Sequence, residues 1–250
     1  MAAPFEDNFD RADGGDLPAP AGTSTLIGDA GIETHRVKAV NDAALDALLA
    51  LETDTGPDAA ESARPTGGLG PNWLPMRTNA WRIENGRLCA EGARNRGIWL
   101  NRTLPVNARI EFDAIALSED GDLKAEVWGD GRSYATGTSY TNATSYLTIL
   151  GGWKNSIHAL ARLNEHGADR KEIRVDRDSD DSRQRPVIRE QLYQFRIERT
   201  DGKTVRWWVN DVEYLSFADP EPLAGQGHDH FGFNEWDAKV CFDNVKVTPL

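Results

Sequence analysis

The nine residues HDHFGFNEW, positions 228 to 236, contain two histidines, a glutamate, an asparagine and a tryptophan. In an extended segment, residues two apart point to the same side. One side therefore holds the two phenylalanines, which suit a core. The opposite side holds His228, His230, Asn234 and Trp236. A histidine of near-neutral pKa can abstract a proton, and an aromatic ring beside polar groups can stack on a sugar. The segment predicts a reaction site or the wall of a binding groove.

A second group of reactive side chains lies in NSIHALARLNEHG, where His158 and Arg162 share one face and Glu165 and His166 follow. Proton abstraction by a histidine is the step that a polysaccharide lyase requires. The candidate catalytic residues are His166, His228, Glu165 and Arg162. In the alternative interpretation, the histidines and asparagines brace loops through hydrogen bonds to the backbone. Both interpretations stay open from the sequence.

Three tryptophans sit beside polar groups, as a sugar-binding surface requires, because a pyranose presents an apolar C–H face. Trp128 lies on the polar side of its strand beside Glu126, Trp153 follows two glycines, and Trp236 follows Asn234 and Glu235. The alternative for each ring is packing in the core. The predicted ligand-binding residues are Trp128, Glu126, Trp153, His158, Arg162, His166, His228, His230, Asn234 and Trp236.

Alternation of apolar and polar residues indicates that β-strands position these groups. DLKAEVWG and ARIEFDAIAL alternate over part or all of their length, and YQFRIERTDGKTVRWWVND contains two such runs joined at Asp201-Gly202, a strong hairpin signal. Short strands with turn signals every 8–12 residues or so are typical of a two-sheet sandwich or jelly roll. We therefore predict an all-β fold, a two-sheet antiparallel jelly-roll sandwich.

The stretch between Phe9 and Trp73 contains no aromatic residue and is rich in Ala, Gly, Asp, Thr and Pro. Within it, residues 37–52 carry apolar side chains at helical spacing, which predicts one short amphipathic helix. We predict that 1–13 form the first strand of the jelly roll, that 14–68 form an inserted linker-helix-linker segment, and that 69–250 complete the domain. The alternative is an ordinary long N-terminal loop with a helix.

Composition argues against several classes of partner. The formal net charge of −12 disfavours nucleic acid and anionic membrane surfaces as partners. No apolar run approaches the roughly 18 residues of a membrane span, and no signal peptide is visible at the N-terminus. The two cysteines, Cys89 and Cys241, form a disulfide in one interpretation and two small buried thiols in the other.

Several segments resemble bacterial members of the concanavalin A-like lectin/glucanase superfamily, near the DUF1961 and DUF1080 families. They are WRIENGRL, GDLKAEVWGDG, ILGGWKNSIHALARLNEHGADR, YQFRIERTDGKTVRWWVND and DPEPLAGQGHDHFGFNEWDAKVCFDNVKV. FEDNFDRAD and FDNVKV are similar to the terminal strands of that fold. The resemblance implies two stacked antiparallel sheets, with carbohydrate across the concave sheet. It does not by itself imply catalysis, because one fold can carry many functions.

The resemblance also implies where catalytic carboxylates would lie. The laminarinase-like glucanases of the superfamily use Glu-x-Asp-x-x-Glu, and here Glu111 and Asp113 share a face while the third position is Ala116. That departure argues against their mechanism. A structural calcium ion is common near the terminal strands of the superfamily, and its candidate ligands are Asp7, Asp10 and Asp243. Otherwise no cofactor is expected. By the same resemblance, the protein is extracytoplasmic or secreted.

These observations favour non-catalytic, lectin-like recognition of a polysaccharide or glycan on the concave sheet. One alternative is a glycoside hydrolase or polysaccharide lyase that uses the His/Glu/Arg group. A second alternative is a scaffold that displays the helix at 37–52 to a protein partner.

Overall fold

The computed structural model describes residues 3–15 and 67–250, which form two antiparallel β-sheets. The larger sheet has nine strands and the smaller has seven. Large apolar side chains fill the space between the sheets. The predicted all-β jelly-roll sandwich is confirmed.

The chain crosses between the two sheets several times, with runs of one to four consecutive strands in each sheet. The nine-stranded sheet contains β1 (Phe5–Asp7), β2 (Gly14–Gly15), β4 (Trp81–Glu84), β5 (Arg87–Glu91), β7 (Ala108–Ala116), β12 (Leu192–Arg199), β13 (Thr204–Val209), β14 (Val212–Ala218) and β16 (Lys239–Pro249). The seven-stranded sheet contains β3 (Trp73–Pro75), β6 (Ile98–Leu100), β8 (Leu123–Gly129), β9 (Tyr146–Gly151), β10 (Ile157–Arg162), β11 (Lys171–Arg174) and β15 (His230–Asn234). The strand order is β14-β13-β12-β7-β16-β5-β4-β2 in the larger sheet, with β1 also paired to β16, and β11-β10-β9-β8-β15-β6-β3 in the smaller one.

Stacked aromatic rings from both sheets form the centre of the core. Phe233 of the smaller sheet lies 4.0 Å from Phe242 of the larger one, ring centroid to ring centroid, and Phe112 lies 4.7 Å from Phe195. Phe231 and Phe233 are fully buried, so the core-facing side predicted for β15 is confirmed. Burial of such large apolar surfaces is the main favourable term that holds the two sheets together.

Two long-range links tie the ends of the chain into the larger sheet. β1 pairs with β16, with Phe5 opposite Val247. Cys89 and Cys241 face each other across β5 and β16 and form a disulfide, which decides the alternative that the sequence left open.

The Asp201-Gly202 hairpin is confirmed as the connection between β12 and β13. Gly202 has a φ of 76°, and Asp201 accepts backbone hydrogen bonds from Lys203 and Thr204.

The two ends of the predicted insertion lie side by side. Gly14 belongs to β2, and a Cβ added at Gly68 would lie 3.1 Å from the Gly14 carbonyl oxygen. The helix predicted at 37–52 and most of 14–68 lie outside the described residues, so both stay predictions. Within the described ranges, α1 (Gly152–Asn155) is a single helical turn with left-handed backbone angles at Trp153 and Lys154, and 3-10 turns lie at Gly67–Leu69 and Ser182–Gln184. No helix of this part is long and apolar enough to cross a membrane.

Candidate functional site

A groove of about 450 Å³ opens on the outer face of the seven-stranded sheet. Alternation along β8 builds its floor: Leu123, Ala125 and Val127 enter the core, so Lys124 and Glu126 point to the outer face. The groove is lined by Asn95, Asp120, Asp122, Lys124, Thr138, Ser139, Ile149, Trp153, Lys154, Glu165, His166, Trp236, Asp237 and Ala238. Aromatic rings and buried charges thus meet in one open concavity.

The buried ammonium of Lys124 is the centre of the floor. Its Nζ donates to Asn95 Oδ1 at 2.7 Å and lies 3.6 Å from Asp122 Oδ1 and 3.5 Å from Glu165 Oε2. Burial alone would lower the pKa of Lys124, but the carboxylates around it raise that pKa. Burial raises the pKa of Asp122 and outweighs the attraction of Lys124. The floor therefore holds a charged lysine next to a carboxyl group that protonates more readily than usual.

Two half-buried tryptophans flank this floor. The backbone N–H of Trp236 donates to Asp122 Oδ2 at 2.5 Å, which ties this wall to the floor. Trp153 makes an edge contact with His166, whose ring centroid is 5.5 Å away, and His166 Nε2 lies 3.4 Å from Glu165 Oε1. A guanidinium group lies over each indole ring: that of Arg94 is 5.0 Å from Trp236, and that of Arg170 is 4.6 Å from Trp153. These cations fix the ring orientations.

Trp153 reaches the groove because the chain forms a left-handed turn at α1. Trp153, Lys154 and Asn155 all have φ between 51° and 58°, after Gly151 at 74°. A left-handed residue other than glycine costs roughly 1–2 kcal/mol, so other contacts must hold this turn. The Asn155 side chain donates to the carbonyl oxygens of Glu119 and Val187 and accepts from the backbone N–H of Val187.

His158, predicted as a ligand-binding residue, is part of this support rather than of the groove. It is fully buried in β10, and its Nδ1 accepts from the Gly151 N–H at 2.9 Å while Nε2 lies 3.0 Å from the Arg185 carbonyl oxygen. Burial lowers the pKa of His158, so the ring is neutral with its proton on Nε2. The predicted ligand contact of His158 is wrong, because a ring with both nitrogens satisfied inside the protein cannot reach a ligand.

The prediction that Trp128 binds a ligand is also wrong. It is fully buried, donates to the Pro105 carbonyl oxygen at 3.1 Å and packs under the Arg199 guanidinium at 3.9 Å. A β-bulge explains this position. His230 pairs with Gly129 and Phe231 with Val127, which leaves Trp128 as an extra residue with a φ of 54°. Such an extra residue turns the side chain to the other face, so Trp128 joins the core.

Glu126 and Asn234 lie on the predicted face but are closed off from solvent. The Glu126 carboxylate accepts from Asn234, Ser145 and Tyr140 at 2.7, 2.7 and 3.1 Å. Tyr140 belongs to the segment between β8 and β9, which covers this part of the sheet, and its backbone N–H donates to Glu165. Burial raises the pKa of Glu126 to about 7. The pair forms a buried network beside the groove, out of reach of a ligand.

Three further predicted residues are engaged away from the groove. His228 Nδ1 donates to the Thr144 carbonyl oxygen at 2.7 Å, and His230 lies 2.8 Å from Asp229. Arg162 pairs with Asp219 at 2.6 Å and also donates to the Glu221 carbonyl oxygen. Of the predicted catalytic group, only Glu165 and His166 line the groove. The His/Glu/Arg group is therefore not assembled.

The candidate calcium ligands do not converge either. Asp7 accepts from Arg11, Phe9 and the Trp73 indole, and Asp10 accepts from Asn8. Within the described ranges, the one group of three metal-ligating side chains whose atoms lie within 4.8 Å is Glu84, Cys89 and Cys241, two of which form the disulfide. The ligand atoms of Asp7, Asp10 and Asp243 do not form such a group. The predicted calcium ion stays a prediction.

No family model matches the chain, and no curated protein is significantly similar to it. The likeness to the DUF1961 and DUF1080 families is therefore not confirmed. Among solved structures, a carbohydrate-binding module from Bacillus subtilis is 16% identical, with 71% of this chain and 96% of that chain covered and a TM-score of 0.48. The laminarinase from Rhodothermus marinus is 17% identical over 68% and 80% of the two chains, with a TM-score of 0.42.

Sheep galectin-11 is 14% identical, over 59% of this chain and 92% of that chain, with a TM-score of 0.38. At such identities, residue roles do not carry over from these proteins. The function has to be argued from the groove itself.

Two floor residues, Asp122 and Lys124, were missed in the sequence because a charged residue that alternates along a strand is usually solvated. One signal was present in the sequence. Lys124 and Glu126 are two residues apart in DLKAEVWG, so the strand places two opposite charges on the same face. Asn95 lies in the β5–β6 connection and gave no signal, because only the tertiary fold brings its amide to Lys124.

Proposed function

We propose that the protein binds a glycan, without cleaving it, in the groove between Trp153 and Trp236. The observation that carries this proposal is the arrangement of two half-buried indole rings around a polar floor of Asn95, Asp122 and Lys124. The groove volume of about 450 Å³ falls in the range of roughly 300–1,000 Å³ that is usual for ligand sites.

The chemistry of a pyranose suits both parts of this groove. Its axial C–H groups pack on an indole face, while its hydroxyl groups exchange hydrogen bonds with charged and amide groups. Lys124 is a donor, and Asp122 and Glu165 are acceptors, all within one lining. Because these groups are held by mutual contacts, they do not have to reorganise when a sugar binds, which favours affinity.

The left-handed turn at Trp153 supports the same conclusion. Unfavourable backbone conformations persist where surrounding contacts enforce them, and they concentrate at functional sites. Here Asn155 and His158 enforce the turn, and its consequence is the position of one indole ring at the groove.

The disulfide supports an extracytoplasmic location as part of the proposal. Structural disulfides persist in oxidising compartments and are rare in the cytosol. Cys89 and Cys241 join neighbouring strands of the larger sheet, away from the groove. A glycan-binding protein outside the cytoplasm would meet polysaccharides directly.

A glycan array with the purified protein tests the proposal, followed by calorimetric titration of the strongest hit. Trp153→Ala and Trp236→Ala should each weaken binding by up to about tenfold, because stacking on an aromatic ring contributes on the order of 0.5–1.5 kcal/mol. Trp208→Ala is the matched control, since Trp208 is half-buried on the larger sheet, next to Arg196. An array without any bound glycan would contradict the proposal, and so would an equal loss of affinity in all three variants.

Glycan cleavage is a second candidate, favoured by one observation. The raised pKa of Asp122 suits a general acid, and Glu165 supplies a second carboxylate beside the same ammonium. Turnover of an array-positive glycan that disappears in Asp122→Asn would establish this function in place of simple binding. Absence of any product after prolonged incubation, with binding intact, would remove it.

A further inference from the structure

The buried charges in and directly beside the groove floor are unbalanced. Lys124 is the one buried cation there among the described residues, and it is 3% exposed. The buried carboxyl groups whose charges act on it are Asp122, Glu165, Glu126 and Glu235. Buried charges are screened by solvent and salt far less than exposed ones, so this excess of acid dominates the potential in the groove.

Partial protonation relieves part of this excess. Burial raises the pKa of both Glu126 and Glu235 to about 7, and raises that of Asp122. One ammonium does not neutralise the buried carboxyl groups around it in a poorly solvated site. The floor therefore lacks a second cation.

The exposed and half-buried charges at the rim do not reverse this balance. Arg94 pairs with Asp237 at 3.0 Å, and Arg170 pairs with Glu172 at 2.6 Å. Lys154 and Asp120 are both exposed groove residues of opposite sign. A carboxylate of a ligand would have to compete for the Lys124 ammonium with Asn95, Asp122 and Glu165, which already contact it.

We infer that the groove takes glycans that carry protonated amino groups, such as 2-amino-2-deoxy sugars, in preference to neutral glycans and to glycans with carboxylate or sulfate groups. This inference rests on the proposed function. The sugar ammonium supplies the cation that the floor lacks, while the ring stacks on Trp153 or Trp236. A metal ion fits less well, because the floor carboxylates do not form a group of three with their oxygens within 4.8 Å in the described part of the chain.

Matched oligosaccharides test the inference. β-1,4-linked tetramers of glucosamine, glucose and glucuronic acid form one set, and the galactose-configured equivalents form a second. At mildly acidic pH we expect the amino form to bind about tenfold more tightly than the neutral form, and the uronate form to bind most weakly. The preference should shrink with added salt.

Proton release gives an independent readout. A cation that enters beside partly protonated carboxyl groups lowers their pKa, so binding of the amino form should release protons and binding of the neutral form should not. Titration calorimetry in two buffers of different ionisation enthalpy measures this. Glu165→Gln should reduce the preference for the amino form several-fold. The same change at the exposed Glu213, Glu213→Gln, is the control.

The outcomes separate the inference from the function on which it rests. Neutral forms that bind as tightly as amino forms, or uronate forms that bind more tightly, overturn the inference and leave glycan binding standing. Binding by neither set, together with a blank array, overturns the proposed function itself. Tighter binding of the amino form with proton release supports both.

Discussion

Asn155 and Val187 are joined by two hydrogen bonds, in which the Asn155 Nδ2 donates to the Val187 carbonyl oxygen at 2.7 Å and the Val187 N–H donates to Asn155 Oδ1 at 2.8 Å. This pair fastens the left-handed turn to the segment before β12. Because Asn155 tolerates positive φ better than most residues, its backbone and its side chain favour the same conformation. The geometry of Trp153 in the groove depends on this link.

Asn155→Ala should therefore reduce both stability and binding. The substitution leaves the N–H and carbonyl of Val187 without their partner in the interior, which costs about 2–3 kcal/mol of unfolding free energy. It also frees the turn, so affinity for the array-positive glycan should fall by about tenfold. Urea unfolding and calorimetric titration measure the two effects. Asn101→Ala, at an exposed position, should change neither. Unchanged affinity in Asn155→Ala would mean that the turn does not position Trp153 for binding.

Trp128→Ala should destabilise the protein by about 3–5 kcal/mol, because it removes a fully buried indole and the surface on which Arg199 stacks. The affinity of the folded variant should not change, since Trp128 faces away from the groove. Trp153→Ala should show the opposite pattern, with loss of affinity and little change in the urea midpoint. Loss of affinity in Trp128→Ala at full stability would contradict the position of this ring in the core.

These two tryptophans also show how far the sequence predicts the molecule. Alternation correctly places Phe231 and Phe233 in the core and Asn234 on the opposite face, because β15 is regular after its first residue. It fails at Trp128, because a bulge adds one residue that no local pattern marks. The hairpin at Asp201 was predictable, since its turn chemistry is local.

The site was less predictable than the fold for a physical reason. The Lys124 ammonium meets Asn95 and Glu165 only in the tertiary fold, so neither contact leaves a trace in residue spacing. The segment over Glu126 buries a face that alternation predicts as open to a ligand. His158 has the residue type of a catalytic base, yet its hydrogen bonds to backbone groups are set by the turn at Gly151.

Stability should fall as the pH rises through neutrality, owing in part to Glu126. Its folded-state pKa of about 7 lies above the ordinary value of 4.5. The stabilising contribution is therefore fully present below about pH 4.5 and is lost as pH rises through 7, with a total of about 3 kcal/mol. Glu126→Gln should flatten this dependence, because an amide does not titrate in this range. The variant should still fold, since the Ser145 and Tyr140 hydroxyls can rotate to accept from the amide. Urea midpoints between about pH 5 and about pH 8 measure it. Glu213→Gln should keep the wild-type slope, and an equally steep slope in Glu126→Gln would contradict the assignment.

Removal of the disulfide should weaken the fold and leave the groove unchanged. Cys89 and Cys241 are 152 residues apart, so the bridge restricts a long loop in the unfolded chain, which stabilises the folded state by about 4–5 kcal/mol in the chain-entropy model. The double variant Cys89→Ala/Cys241→Ala should lower the unfolding free energy by about 3–5 kcal/mol. Its glycan affinity should equal that of the wild type at temperatures where it is folded, because the bridge lies in the larger sheet and the groove on the smaller one.

A reducing agent should shift the urea midpoint of the wild type and have no effect on the double variant. If the reduced wild type unfolds at the same urea concentration as the oxidised protein, the disulfide does not contribute to stability.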